Sequence, residues 1–430
     1  VEATIERPAF SKRSTVWLML AAFLCYTGMY AVRKSFLAGQ YTGVEFEGMH
    51  FKTILVISQV IGYMLSKFIG IKVISELDNR RRSWYLIGMV GFGLLMLLAF
   101  AVLPPNLKPI ALFLNGLPLG MVFGIVFSYL EGRRNTELLA AALSATFVFS
   151  TGFVKTIGVW LLQDYGIGEF MMPFLTGLLF FPIFILAVWM LNRAKPPGAQ
   201  DVDHRSERVP MDGRQRAAFL RQHGLGFAGL VLVYILLTVI RDFRDNFIVE
   251  FWAELGYAQQ PELITLTEIP VAVIVLIIAA AGVLIQSNRR AFNSGMYLIM
   301  LCSVLILLVT VLFSNQLISP VIWMIGTGIG VYLPYILFHC LIFERLIALL
   351  RFRGNVGFLF YLADALGYSG SVAVMLIKEL GGFETTWVHF FIDLNIYAAF
   401  GILGIAVLAL YLISRKRVPE TEVVTMPQSL

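Results

Sequence analysis

Two arginines, Arg33 and Arg241, lie within long apolar segments that open the first and second halves of the chain, and each follows a tyrosine by seven residues, Tyr26 and Tyr234. A guanidinium does not shed its proton, so an arginine in hydrocarbon needs a counter-charge or a water-filled cavity. Seven residues make about two helical turns, which puts ring and guanidinium on one helix face. The simplest partner common to both arginines is an anion held between the halves. Asp242, Arg244 and Asp245 follow Arg241 closely, and Lys67, Lys155, Glu268 and Asp364 fall within other apolar runs.

Composition puts these charges in a membrane. Hydrophobic residues make up 58% of the 430 and charged residues only 14%, whereas a soluble protein carries about 25% charged residues. Mean hydropathy is +0.80. About twelve apolar runs of roughly 20 to 28 residues, from Thr15 to Gly39 through to Val388 to Ile413, are each long enough to cross a hydrocarbon layer of ~30 Å as a helix. They are too long for barrel strands and lack strict alternation. The expected fold is an all-α integral membrane protein with twelve transmembrane helices in two six-helix bundles. The first run is too long for a signal-peptide core and lacks a small-residue cleavage site, so it is expected to stay as a span.

Basic residues mark alternate connections: Arg7, Lys12 and Arg13; Arg80 to Arg82; Arg133 and Arg134; Arg289 and Arg290; Arg345, Arg351 and Arg353; then Arg415 to Arg417. The positive-inside rule therefore predicts cytoplasmic termini. The net charge of +6 reflects that topology, and no nucleic-acid partner is needed to explain it. The only long polar interruption runs from Asn192 to Gly224 and carries mixed charge, as a solvated segment does. It divides the chain into a bundle at 1–192, a cytoplasmic loop at 193–224 and a second bundle at 225–430, with the seventh span at Leu225 to Phe247. Six spans plus six resembles the layout of major facilitator transporters, whose substrate sits between the halves at the midplane. Cys25, Cys302 and Cys340 all fall in apolar runs, and no spacing points to a disulfide framework, a metal site or a cofactor.

The chain also resembles a narrower family. The stretch from Tyr26 to Phe36, with Tyr30, Arg33 and Lys34, is similar to the first-helix signature of the organophosphate:phosphate antiporters, which include glycerol-3-phosphate and hexose-6-phosphate transporters. Ser66, Lys67 and Phe68, followed by Asp78 and the arginines Arg80 to Arg82, resemble its second helix and the next loop. Asn115, Gly116, Gly120 and Met121 fit its fourth helix, and Tyr234 to Arg241 its seventh. Gly328 to Pro334, with Tyr332, fits the tenth, and Gly357, Phe358 and Gly367 to Ala373 the eleventh. The resemblance implies that Arg33 and Arg241 clamp a phosphate, with Tyr26, Tyr30, Lys67 and Tyr332 around the same cavity. It also implies a bacterial inner membrane. A planar guanidinium fork fits phosphate oxygens, and lysine adds a point charge.

Departures from the family are as informative. Its fifth-helix histidine has no counterpart: that region reads Phe149, Ser150, Thr151 and Gly152, with Lys155 one turn on, and the five histidines read as loop or span-end residues. Lys155 either supplies the missing positive charge or pairs with Asp364. Arg33 and Arg241 either hold a ligand or are satisfied by internal ion pairs, and one of Arg33 and Lys34 could snorkel to headgroups. Asp242, Arg244, Asp245, Glu268 and Asp364 either balance the cationic cavity or carry protons. The expected function is alternating-access exchange of a small organic anion, a phosphorylated metabolite or phosphate, by a monomer in a lipid bilayer. A carboxylate transporter and an anion sensor that moves nothing remain as alternatives. An enzyme is not expected, because no phosphate loop, metal spacing or activated nucleophile is present.

Overall fold

A computed structural model describes residues 12–46, 48–75, 80–130, 136–194, 213–350, 356–381 and 385–415. Arg7, Asp78, Arg133, Arg134, Arg351, Arg353, Lys416, Arg417 and most of the central polar stretch lie outside the described residues. Twelve helices run through the described ones: α1 (Lys12–Lys34), α2 (Phe51–Ser75), α3 (Arg82–Val102), α4 (Lys108–Leu130), α5 (Thr136–Gln163), α6 (Met172–Asn192), α7 (Gly213–Glu254), α8 (Glu262–Val283), α9 (Asn288–Ser314), α10 (Pro320–Leu349), α11 (Val356–Leu380) and α12 (Trp387–Arg415). Each contains a stretch long and apolar enough to cross a membrane. Helices are what such runs must form, because in hydrocarbon every backbone N–H and C=O has to find a partner within the chain. The protein is a multi-pass integral membrane protein. With twelve crossings, the start of α1 and the end of α12 share one face; the opposite face is called the far end below.

The first six helices pack among themselves, with α2 along α4 and α1 along α6, and the last six do the same, with α7 along α12 and α11. The two bundles meet along α5 with α8 and α2 with α11. A one-turn extension, Ser35–Ala38, and a short antiparallel ladder of Glu45–Phe46 with Met49–His50 link α1 to α2 at the far end.

The seventh helix departs from expectation at both ends. It spans 42 residues, beginning at Gly213 within the stretch expected to be loop and ending at Glu254 rather than Phe247. Its start contains Arg214, Gln215, Arg216, Ala217, Ala218 and Leu220, all good helix formers, and polarity alone does not separate a solvated helix from a loop. Near its other end the charges from Arg241 to Asp245 interrupt the apolar pattern without ending the helix, because each is buried among partners. Its only kink among the described residues is at Phe247 (φ −118°, ψ 16°), just beyond that cluster. In α10 a π-helical turn at Phe338–Ile342 widens the helix around His339.

The α2–α4 contact depends on glycine. A Cβ on Gly116 would lie 2.3 Å from the Gln59 carbonyl oxygen, and one on Gly62 2.2 Å from that of Phe113. These are backbone obstacles that cannot swing away. Gly116→Ala is expected to destabilise the protein by about 1–3 kcal/mol, as overpacking does. Gly404→Ala, where nothing lies within 4 Å, is the control that should leave thermal unfolding in detergent nearly unchanged.

Candidate functional site

Arg33 sits near the end of α1 and is 2% exposed. A polar network fixes the backbone that carries it: Gln59 Nε2 donates to the Arg33 carbonyl (2.5 Å) and to Asn115 Oδ1 (2.9 Å), while Asn115 Nδ2 donates to the carbonyls of Val32 (3.2 Å) and Gly93 (2.8 Å). One asparagine and one glutamine thus pin α1, α2, α3 and α4 together behind the arginine. In front, the guanidinium lies 3.4 Å from the centroid of the Tyr63 ring. Among the described residues no carboxylate reaches it, and its Nε is buried without an acceptor.

Arg241, from α7, approaches from the other bundle. Its guanidinium lies 4.2 Å from the Tyr335 ring centroid, Nη2 donates to the Tyr368 hydroxyl at 3.4 Å, and Asp242 Oδ1 is 3.6 Å away. Its Nε also lacks an acceptor. The Tyr63 and Tyr368 rings pack against each other across the bundle boundary, with centroids 5.2 Å apart. Each arginine therefore rests on one member of a tyrosine pair that joins the halves.

Both arginines line one narrow cavity of about 10 Å³, together with Tyr30, Lys34, Asp242, Asp245 and Tyr332. A second cavity, also of about 10 Å³, adjoins it, sharing Tyr30, Phe147, Arg241 and Tyr368, and extends past Tyr26 to Lys67, His339 and Asp364. Each has room for about one water molecule, far below the roughly 300–1,000 Å³ of ordinary ligand pockets. The structure is a constricted form.

Four further ion pairs surround the cavities. Asp245 holds two ammonium groups, Lys34 at 2.9 Å and Lys155 at 2.6 Å, so one carboxylate ties α7 to α1 and α5. Lys34 also donates to Asn246 Oδ1 (2.8 Å). Arg244 turns away from both cavities' centre to Glu268, 2.6 Å distant, and donates to the Met324 carbonyl at 3.0 Å. Lys67 of α2 pairs with Asp364 of α11 at 3.1 Å, and the Tyr234 hydroxyl donates to the other carboxylate oxygen at 2.8 Å. At the far end, buried Lys52 pairs with Glu250, while Glu379 accepts from the His50 backbone N–H (3.2 Å) and Thr53 Oγ1 (2.7 Å), capping the start of α2 from the opposite bundle. Among the described residues around the cavities, six buried basic side chains (Arg33, Lys34, Lys67, Lys155, Arg241 and Arg244) face four buried carboxylates (Asp242, Asp245, Glu268 and Asp364), a formal excess of two positive charges. Uncompensated buried charge is costly, and the cost is relieved by a bound anion.

The family of unknown function DUF5690 matches residues 35–416. The chain belongs to it. No curated protein matches the sequence. Among solved structures this DUF5690 protein is similar to the nucleoside transporter NupG, with 12% identity, 94% of this chain and 100% of that one covered, and a TM-score of 0.60. It is also similar to a D-xylose-proton symporter, with 15% identity, coverage of 95% and 98%, and a TM-score of 0.55. At these identities the likeness shows the fold: twelve helices in two six-helix bundles of the major facilitator type.

Within this DUF5690 fold most of the residues singled out by sequence come together, and several partners are corrected. Arg33 and Arg241 share a cavity with Tyr30 and Tyr332, while Tyr26 and Lys67 line the adjoining one. Lys155 does not pair with Asp364; it reaches Asp245, and Asp364 takes Lys67 instead. Neither Arg33 nor Lys34 snorkels, since each is 2% exposed. His339 is not a span-end residue: it lies inside α10 and lines the second cavity. The two tyrosines of the repeated spacing also part company, with Tyr26 on a cavity wall and Tyr234 committed to Asp364. Gln59, Tyr63 and Tyr335 were not singled out in the sequence, and Asn115 and Tyr368 entered only through the helix resemblances, with no site role. Tyr63 and Lys67 are four residues apart on α2, as are Asp364 and Tyr368 on α11, and that shared-face spacing is the signal that would have found the tyrosines.

Proposed function

We propose that this protein is a secondary transporter that exchanges small organic anions, phosphate or a phosphorylated metabolite, by alternating access of its two bundles, with both termini in the cytoplasm. The observation that carries this reading is Arg33 and Arg241 lining one cavity from opposite bundles amid two uncompensated positive charges. A phosphomonoester dianion matches that excess, whereas a monocarboxylate leaves one charge over. The resemblance of the first and seventh helices to the organophosphate:phosphate antiporters supports the same class. Both structural neighbours reported above are transporters by name, which supports transport over static binding.

In this mechanism the anion bridges the two guanidiniums, and charge neutralisation lets the bundles close around it and open on the other side. The empty cavity resists the same passage because its two charges would cross hydrocarbon unpaired. Exchange is the consequence: liposomes loaded with phosphate should take up external labelled phosphate, and liposomes without internal anion should not. Equal uptake by loaded and empty liposomes would count against exchange. Stronger competition by a carboxylate than by phosphate esters would count against the substrate class, and binding without flux would make the protein a receptor.

A further inference from the structure

The second cavity holds a histidine that the two arginines leave unused. His339 rides on the π-helical turn of α10, a distortion that often marks functional sites. Its Nδ1 lies 2.9 Å from the Tyr335 carbonyl oxygen. A carbonyl only accepts, so Nδ1 carries the hydrogen, and Nε2 of the neutral ring is left as an acceptor with no hydrogen-bond partner among the described residues. Ring contacts fix its place: Tyr335 at 4.5 Å and Phe360 at 4.3 Å from its own bundle, and Phe147 of α5 at 5.6 Å from the other. The cavity beside it has room for about one water, enough to deliver a proton.

The groups around the ring link that proton to the anion. Asp364 of α11, Lys67 of α2 and Arg241 of α7 line the same cavity, and Tyr234 of α7 lies beside the ring with Tyr335 of α10. From α5 comes the apolar Phe147, and α8 and α9 meet the turn through Gly282 and Gly295. Lys67 and Arg241 both oppose an imidazolium, while Asp364 is already shared between Lys67 and Tyr234. Arg241 also lines the anion chamber. An anion bound there offsets Arg241 and brings negative charge towards the ring, so anion and proton favour each other's binding. We infer that His339 is a proton site coupled to the anion site. Nε2 takes a proton from water on the side where the anion enters, the imidazole becomes an imidazolium, and the proton returns to water when the anion leaves. The inference rests on the anion site proposed above and adds the proton as a second transported ion.

Calorimetry on the purified full-length protein in nanodiscs tests it, with inorganic phosphate titrated in buffers of different ionisation enthalpy. The wild type should take up protons beyond those that phosphate's own ionisation accounts for. His339→Gln keeps a donor for the Tyr335 carbonyl and His339→Phe keeps the ring packing; in both, the extra uptake should vanish. Between pH 8 and pH 6, within the range where histidine changes charge, phosphate affinity should rise about tenfold more in the wild type than in either variant. No extra uptake in the wild type overturns the inference without recourse to a variant, and uptake that survives in both variants places the proton elsewhere and overturns it too. Folded variants that no longer bind phosphate at pH 8 would make His339 a structural residue, which also overturns it. Failure of the wild type to bind phosphate at any of these pH values removes the anion site and the inference together.

Discussion

Arg33→Lys and Arg241→Lys are each expected to slow anion exchange by about two orders of magnitude, with the protein still folded. Lysine keeps the charge but replaces a planar fork of donors with a compact point charge. One or two charge-assisted hydrogen bonds to phosphate are lost, each worth about 1.5–3 kcal/mol, and about 1.4 kcal/mol is a factor of ten. The two sites differ in what they cost the empty protein. Arg33 lies on the Tyr63 face and, among the described residues, has no carboxylate in reach, so losing its guanidinium strands no acid there. Arg241 is 3.6 Å from Asp242, and its loss leaves that carboxylate to Ser371 at 2.6 Å and to Lys34 at 4.0 Å. Arg241→Gln should therefore lower thermal stability more than Arg33→Gln, while both abolish exchange. Counterflow in liposomes and unfolding in detergent read the two effects separately. Wild-type exchange rates in both lysine variants would remove the shared site.

The fold was legible because hydrocarbon leaves a chain so little choice: twelve apolar runs of helical length give twelve helices, and a polar gap after the sixth divides the bundles. The two arginines were legible for the same reason, since permanent charge in an apolar run must be explained. Ion-pair partners were not legible, because they depend on the depth and rotation at which helices from different bundles meet. Lys155 lies on α5, far in sequence from both Asp245 and Asp364, and nothing local to it distinguishes the two. One pairing did leave a trace. Helices α2 and α11 cross the boundary antiparallel, so Tyr63 meets Tyr368 and Lys67 meets Asp364, one turn apart on both helices, and Thr53 meets Glu379 further along. Matched four-residue spacings of ring and charge on two separate runs record that ladder. The Gln59 and Asn115 network left no such trace, because a single amide in a membrane helix has many possible acceptors and the sequence does not say which backbone carbonyl it meets.

Asp245→Asn is expected to produce the largest loss of stability of any single substitution around the cavities. The carboxylate is shared by Lys34 and Lys155, both buried, and its removal strands two ammonium groups at once. Breaking a buried ion pair from one side costs about 3–5 kcal/mol, because the remaining charge keeps its desolvation penalty and loses its compensation. At roughly 2–4 °C per kcal/mol for a larger domain, a fall in Tm of about 10 °C follows. Local acceptors soften the loss unequally: Lys34 retains Asn246 Oδ1, and Lys155 retains the backbone carbonyl of residue 245. Adding Lys155→Gln should recover part of the stability, since it removes one stranded charge, whereas a substitution that merely disturbed packing would not be rescued that way. The anion supplies a second check. With Asp245 neutral, the excess around the cavities rises from two positive charges to three, so phosphate should raise the Tm of Asp245→Asn by more than it raises that of the wild type. An unchanged Tm in the variant would show that the carboxylate does not hold the two lysines, and an equal phosphate shift in both proteins would show that the three cations do not face a common guest.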